Sequence, residues 1–138
     1  IEAWKATIEL NLVGAYYTAH AAIPYLKARG GGKIITTGSG LGHRGIPEIS
    51  AYSCAKAGLW MLTRVLAQEL WQHNISVNEL VPGPVHTLPG DIPAGPPPLA
   101  ESEWLKTPDD VVPLALFLAT QPLVGPTGQS FNLMRRDC

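Results

Sequence analysis

Segments of two different periods alternate along this chain, and that alternation restricts its fold more than any single motif. Trp4, Ile8, Leu12, Ala15, Ala19, Ala22 and Leu26 recur at three- and four-residue spacing, which predicts one long helix over residues 3–29. Leu10, Val13 and Tyr17 form a second apolar stripe on it, so the helix is expected to be covered on more than one side. Pro24 should kink its last turns, and Gly30-Gly31-Gly32 should stop it. The β-branched run KIITTGS (33–39) reads as a buried strand, followed by a glycine-rich loop to about residue 49. Ala55, Leu59, Leu62, Leu66 and Leu70 then keep helical step from Ser50 to about His73. NISVNELV (74–81) is a second strand, ended by Pro82-Gly83-Pro84. Thr107-Pro108-Asp109-Asp110 combines a cap residue, proline at the first helical position and acids in the first turn, and starts a helix to about Thr120 despite Pro113. TGQSFNL (127–133) is the last strand.

Helix and strand thus alternate three times, which predicts an α/β fold: parallel strands joined by right-handed crossovers. In such sheets ligands bind beyond the carboxyl ends of the strands. Those ends lead into the loops that begin at Ser39 and Pro82. Composition narrows the function classes. With 138 residues, 46% of them hydrophobic, and a formal net charge of −1, the chain has the make-up of one soluble domain and no basic footprint for nucleic acid. The uncharged apolar stretches are too short to span a bilayer. Two cysteines make no disulfide framework, so a reducing, cytoplasmic setting is expected.

The polar residues that break the apolar pattern carry the chemistry. Tyr52 and Lys56 lie four apart on the second long helix, and a phenol works as a base near neutral pH only with a cation close by. One helical turn is about 5 Å, where two unit charges interact by roughly 3 kcal/mol at an effective dielectric near 20. Alone, the pair is as easily two polar residues on a solvated helix face. Ser39 ends the first strand thirteen residues earlier and could equally be a turn serine; Asn11 sits mid-helix between two leucines, where a core asparagine bonding a backbone carbonyl is the plainer account. VPGPVHT (81–87) exposes backbone groups and the Thr87 hydroxyl after the second strand, although a strand-ending turn needs no more than this. Gly40-Leu41-Gly42-His43-Arg44-Gly45 matches the spacing of a dinucleotide phosphate loop, but Ile46-Pro47 follows where a helix should run on, and no acid-ended strand comes about twenty residues later. These glycines are expected to let a loop pass close to a bound substrate. The four histidines have no metal-ligand spacing, and no Gly-x-Ser-x-Gly surrounds Ser39, so neither a metal site nor an acyl-transfer serine is expected.

Taken together, NLVGAYY around Asn11, IITTGSG around Ser39, AYSCAKAGL around Tyr52 and Lys56, NISVNELVPGPVHT, and TPDDVVPLALFLAT with GPTGQSFNL resemble the carboxyl-terminal half of a classical short-chain dehydrogenase/reductase, in order and over nearly the whole chain. The resemblance implies a Rossmann-like doubly wound parallel sheet, of which residues 1–138 supply about three strands and three main helices and lack the phosphate-loop half. It implies NAD- or NADP-dependent interconversion of a secondary alcohol and a ketone. Asn11, Ser39, Tyr52 and Lys56 would be the catalytic tetrad, with Asn11 holding a water that links Lys56 to solvent. Tyr52, Lys56, Pro82, Gly83, Val85 and Thr87 would contact the cofactor. Residues 87–106, rich in proline, are expected to form a substrate lid. The resemblance further implies a homodimer or homotetramer through the two long helices, with Trp60 and Leu70 as candidate contacts.

Three features depart from the family pattern: the missing phosphate loop, the ending NLMRRDC and the placement of Pro113. The alternative reading is a non-catalytic remnant or assembly module that has lost the cofactor half. On either reading the 138 residues alone are expected to bind a nicotinamide dinucleotide poorly.

Overall fold

The computed structural model describes residues 1–88, 90 and 103–134. It is a parallel three-stranded sheet with helices on its faces. The long first helix has three parts: α1 (Glu2–Ile8), a π-helical turn (Glu9–Val13) and α2 (Gly14–Arg29). Pro24 lies inside α2, which runs unbroken to a left-handed Gly30, and a π-helical irregularity precedes it at residues 9–13. The strands are β1 (Gly32–Thr37), β2 (Ile75–Val81) and β3 (Ser130–Asn132), in the order β1-β2-β3. Residues 40–49, read above as a loop, contain a short helix, α3 (Gly40–Arg44). Then come α4 (Ser50–Leu70), which ends in a single 3₁₀ turn (Trp71–His73), and α5 (Pro108–Thr120).

The register runs from Gly32 opposite Ile75 to Thr37 opposite Leu80, and from Glu79 opposite Ser130 to Val81 opposite Asn132. Every residue of β2 is buried, as expected of a central strand covered on both faces. The apolar stripe of α4 faces it: Leu66, Ala67 and Leu70 cluster with Ala19, Ile75 and Val77, and Ile23, Leu26, Ile34 and Leu62 close the cluster. Leu70 therefore belongs to the chain's own core and is not available as a contact between subunits. Hydroxyls stitch the same layer. Thr63 donates to the Leu59 carbonyl at 2.8 Å and lies 2.7 Å from the Thr36 hydroxyl on β1.

Two further ties align the ends of the elements. Asn78 donates to the Pro126 carbonyl (2.7 Å) and accepts from the Gln129 amide (3.1 Å), which docks the segment before β3 onto β2. A β-carbon on Gly58 would come within 2.8 Å of the Leu12 side chain, so α4 and the first helix approach closely at this glycine. The Trp4 indole reaches Ser50 at 3.3 Å from the same side.

The start of α5 follows its sequence signal. The Asp110 carboxylate accepts from the Thr107 amide (2.7 Å) and hydroxyl (2.8 Å), and Pro108 opens the helix. These bonds, the amide first, hold the Asp110 carboxyl below its ordinary range. A carboxyl lowered on folding adds stability above its unfolded-state value and loses it as the pH falls through the folded value. Asp110→Ala should therefore lower the melting temperature at neutral pH, and the gap to the parent chain should close in acid; thermal unfolding followed between pH 7 and pH 2 checks this.

Candidate active site

Ser39 leaves the carboxyl end of β1 and caps α3: its oxygen accepts from the Leu41 amide at 3.2 Å. A hydroxyl used in this way as an acceptor keeps its own hydrogen to donate. The helix it caps rests on α4. A β-carbon on Gly42 would lie 2.7 Å from the Lys56 carbonyl carbon and 2.9 Å from the Ala57 nitrogen. The second glycine of the G-x-G-x-x-G run is thus committed to bringing two backbones together, and the helix start is capped by Ser39 itself.

Lys56 donates to the Thr37 carbonyl at 2.9 Å, so the helix carrying the lysine is tied to the end of the strand that carries Ser39. Two of its three N–H groups remain for other partners. Burial pushes the Lys56 ammonium below its ordinary range, and the negative charge of Glu79 opposes that shift. The same ammonium lies 5.6 Å from the centre of the Tyr52 ring, one turn earlier on α4. Among the described residues, no hydrogen bond commits the Tyr52 hydroxyl or joins it to Ser39.

Asn11 falls in the π-helical turn, where its side-chain amide donates to the Thr7 carbonyl at 3.1 Å. That is the bond expected of a core asparagine, so the carboxamide is partly engaged by its own helix. Such single π turns concentrate at functional sites because they displace the regular backbone ladder. No side-chain periodicity marks this one in the sequence. Asn11 and Lys56 both line an open groove of about 700 Å³ along the free side of β1, together with Gly14, Ile35, Thr37 and Leu59.

The loop after β2 is pinned rather than free. Val85 bridges to Lys106 in parallel fashion, the His86 amide donates to the Lys106 carbonyl (2.8 Å), and the Lys106 amide donates to the Pro84 carbonyl (3.1 Å). Pro82, Gly83 and Val85 are half-buried, and Thr87 is exposed. Lys106 itself is fully buried beside Gly83, with its ammonium 4.4 Å from the centre of the Trp104 ring. Burial lowers its pKa, while Glu103 and Asp110 oppose this. The sequence reading placed residue 106 at the end of a lid and missed this anchor; most of that lid, residues 89 and 91–102, lies outside the described residues. It also missed the buried Glu79 and its bond to His43, which no local pattern in the sequence marks. Among the described residues, no cluster of three or more potential ligands could hold a metal ion, and no helix is long and apolar enough to cross a membrane.

Comparison with known proteins fits this arrangement. The family model described as short chain dehydrogenase matches residues 1–89. This chain belongs to the short-chain dehydrogenase/reductase family. Its relatives include a D-xylose 1-dehydrogenase of Caulobacter vibrioides, 35% identical over 93% of this chain and 54% of the relative. The acetoin dehydrogenase of Salmonella typhimurium superposes with a TM-score of 0.82 at 29% identity, over 96% of this chain and 55% of that one. A 3-oxoacyl-[acyl-carrier protein] reductase of Brucella melitensis, solved with bound NAD, gives 0.79 at 26% identity over 96% and 50%. The chain spans about half the length of the relatives it matches, and its three strands form part of their Rossmann-type sheet.

The fit of α3 onto α4 makes one substitution diagnostic. Gly42→Val should destabilise the chain by about 1–3 kcal/mol, since the added carbons meet backbone that cannot turn aside. Urea unfolding monitored by circular dichroism gives the difference directly.

Proposed function

We propose that these residues carry the catalytic part of an NAD(P)-dependent oxidoreductase that interconverts a secondary alcohol and a ketone. The observation that carries the reading is the Lys56 ammonium, fixed on the Thr37 carbonyl, close to the Tyr52 ring and on one groove with Asn11. In this reading the phenolic oxygen of Tyr52 takes the proton of the alcohol, or returns it to the ketone. Ser39 donates its free hydroxyl hydrogen to the substrate oxygen, where charge develops. Lys56 supports the phenolate and turns its remaining N–H groups to the ribose of the cofactor. Asn11 holds a water that passes the proton toward solvent.

The residues fit the nicotinamide end of a dinucleotide: an ammonium with two donors to spare, and a glycine-proline loop pinned at Pro82 to Val85 with the Thr87 hydroxyl exposed beside it. When bound, the nicotinamide supplies hydride chemistry that no side chain can supply. The phosphate-binding part of the site would come from outside these 138 residues, because Gly42, the second glycine of the run at 40–45, is taken up by packing on α4. A small alcohol or ketone is the substrate class, residues 87–106 are the proposed lid, and the cytoplasm is the proposed setting.

Assembly is part of the same reading. Leu10, Tyr17 and Tyr25 on the first helix, and Met61 and Val65 on α4, are exposed large apolar residues on the two helices that would meet a second subunit. Light scattering at micromolar concentration should report a dimer or tetramer, and a monomer would count against this surface.

Catalysis is tested at Tyr52. In the complete active enzyme, Tyr52→Phe should lower turnover by about 10²–10⁴-fold, the contribution of a positioned acid/base, with cofactor affinity nearly unchanged. Lys56→Ala should damage both. If the Tyr52→Phe enzyme kept more than about a tenth of the parent rate, Tyr52 would have no part in the proton transfer.

A further inference from the structure

Beneath this site lies a charged group that the chemistry above does not use. Glu79 stands in the middle of β2, the central strand, and is 0% exposed. Burying a carboxylate costs several kcal/mol unless hydrogen bonds and an opposite charge compensate it. Here the compensation is partial and one-sided. Oε2 accepts from the His43 Nε2 at 2.8 Å and from the Ser130 hydroxyl at 2.5 Å, whereas Oε1 is buried and, among the described residues, accepts from nothing.

The placement of that carboxylate is specific. A β-carbon on Gly38 would collide with Oε1 and Cδ, so Glu79 lies against the backbone of the residue that precedes Ser39. The Gly38 amide, donating to the Leu80 carbonyl at 2.9 Å, keeps that backbone in place. On its other side the carboxylate reaches His43, in α3. A helix of five residues has no stability of its own, and α3 is held by attachments that include the Ser39 cap, the contact of Gly42 with α4, and the bond from His43 to Glu79. The His43 ring also packs on Trp60 of α4, with centroids 5.5 Å apart.

We propose that Glu79 is a positioning residue of the site: its carboxylate holds α3, and with it Ser39, against the sheet through His43, and supplies the fixed negative charge that Lys56 faces. The proposal rests on the roles assigned to Ser39 and Lys56 above. It has two separable parts, a clamp and a charge. The clamp requires a side chain of this length with an acceptor at Oε2. The charge part rests on placement: Lys56 is fixed on the Thr37 carbonyl, one residue before the Gly38 that the Glu79 carboxylate touches. The groups that respond to it are His43 on α3 and Lys56 on α4, with the neutral Ser130 on β3.

Glu79→Gln keeps the shape and the acceptor and removes the charge, whereas Glu79→Ala removes both. Amide hydrogen exchange across residues 39–45 of the chain reads the clamp without any turnover. Exchange there should rise at least about tenfold in Glu79→Ala and His43→Ala, and stay within about threefold of the parent in Glu79→Gln. In the complete active enzyme, Glu79→Gln should lower kcat about tenfold with KM little changed, and should move the pH–rate profile about half a unit or more toward lower pH, because a negative charge has left the neighbourhood of Lys56. Parent-like exchange at 39–45 in both Ala variants overturns the clamp. An unshifted pH profile with parent kcat in Glu79→Gln overturns the charge.

A stability cycle guards against variants that fold poorly. Gly38→Ala should cost at least about 1 kcal/mol more in the parent than in the Glu79→Ala background, and equal costs would refute the contact. If instead Tyr52→Phe retains its rate, the catalytic reading fails, and the exchange and stability results still decide the clamp.

Discussion

The parallel pairing of β1 with β2 is the constraint on which the rest of the molecule depends. Each strand of a parallel pair ends on the same side of the sheet, so one register, Thr37 opposite Leu80, brings the Ser39 turn beside the loop that starts at Pro82. Chain segments more than forty residues apart then build one edge of one site. Lys56 completes the arrangement by donating to the carbonyl of Thr37, the last residue of β1. This hydrogen bond, from a helix side chain to a strand terminus, ties α4 to the end of β1 beside its core packing. The ammonium near Tyr52 is therefore set by the sheet as well as by the four-residue spacing.

Polar groups were placed where apolar ones would have cost less. The central strand is wholly buried, yet it carries Ser76, Asn78 and Glu79. Asn78 answers for its burial with two backbone bonds to the segment before β3. Glu79 answers with His43 and Ser130 on one oxygen and leaves the other buried. Asn78 and Glu79 narrow the number of ways in which the layers can fit, because each finds its partners in this register. The sheet of this chain is thus held in register partly by its polar interior.

What could be read from residue order alone follows from the range of the forces involved. Periodicity located the three main helices and the strands, and Thr107 with Asp110 located a helix start to the residue, since these signals act within a few positions. The segment after Ser39 was misjudged because its glycines favour a loop by propensity. Packing at Gly42 and the Ser39 cap override that propensity and make α3. The tetrad could be proposed from spacing and resemblance, but the environment of each group could not. The bond from His43 to Glu79 joins residues 36 apart in sequence, and the anchor at Lys106 meets the loop about twenty residues before it. Leu70 was assigned to the wrong surface because an apolar stripe does not say which of two neighbours it faces.

The π-helical turn at Glu9–Val13 also sets the phase of everything that precedes it. A π turn accommodates one residue more than an α turn, and one residue corresponds to about 100° of rotation about the helix axis. The face of α1 that meets α4 at Trp4 and Ser50 is therefore offset from the face that α2 turns to the core at Ala19 and Leu26. Removing a single residue from this turn would restore a uniform helix and swing the Trp4 indole away from Ser50. The extra residue acts as an angular gear between the two ends of one helix. It lets a single rod serve two surfaces that a regular helix could not address at once.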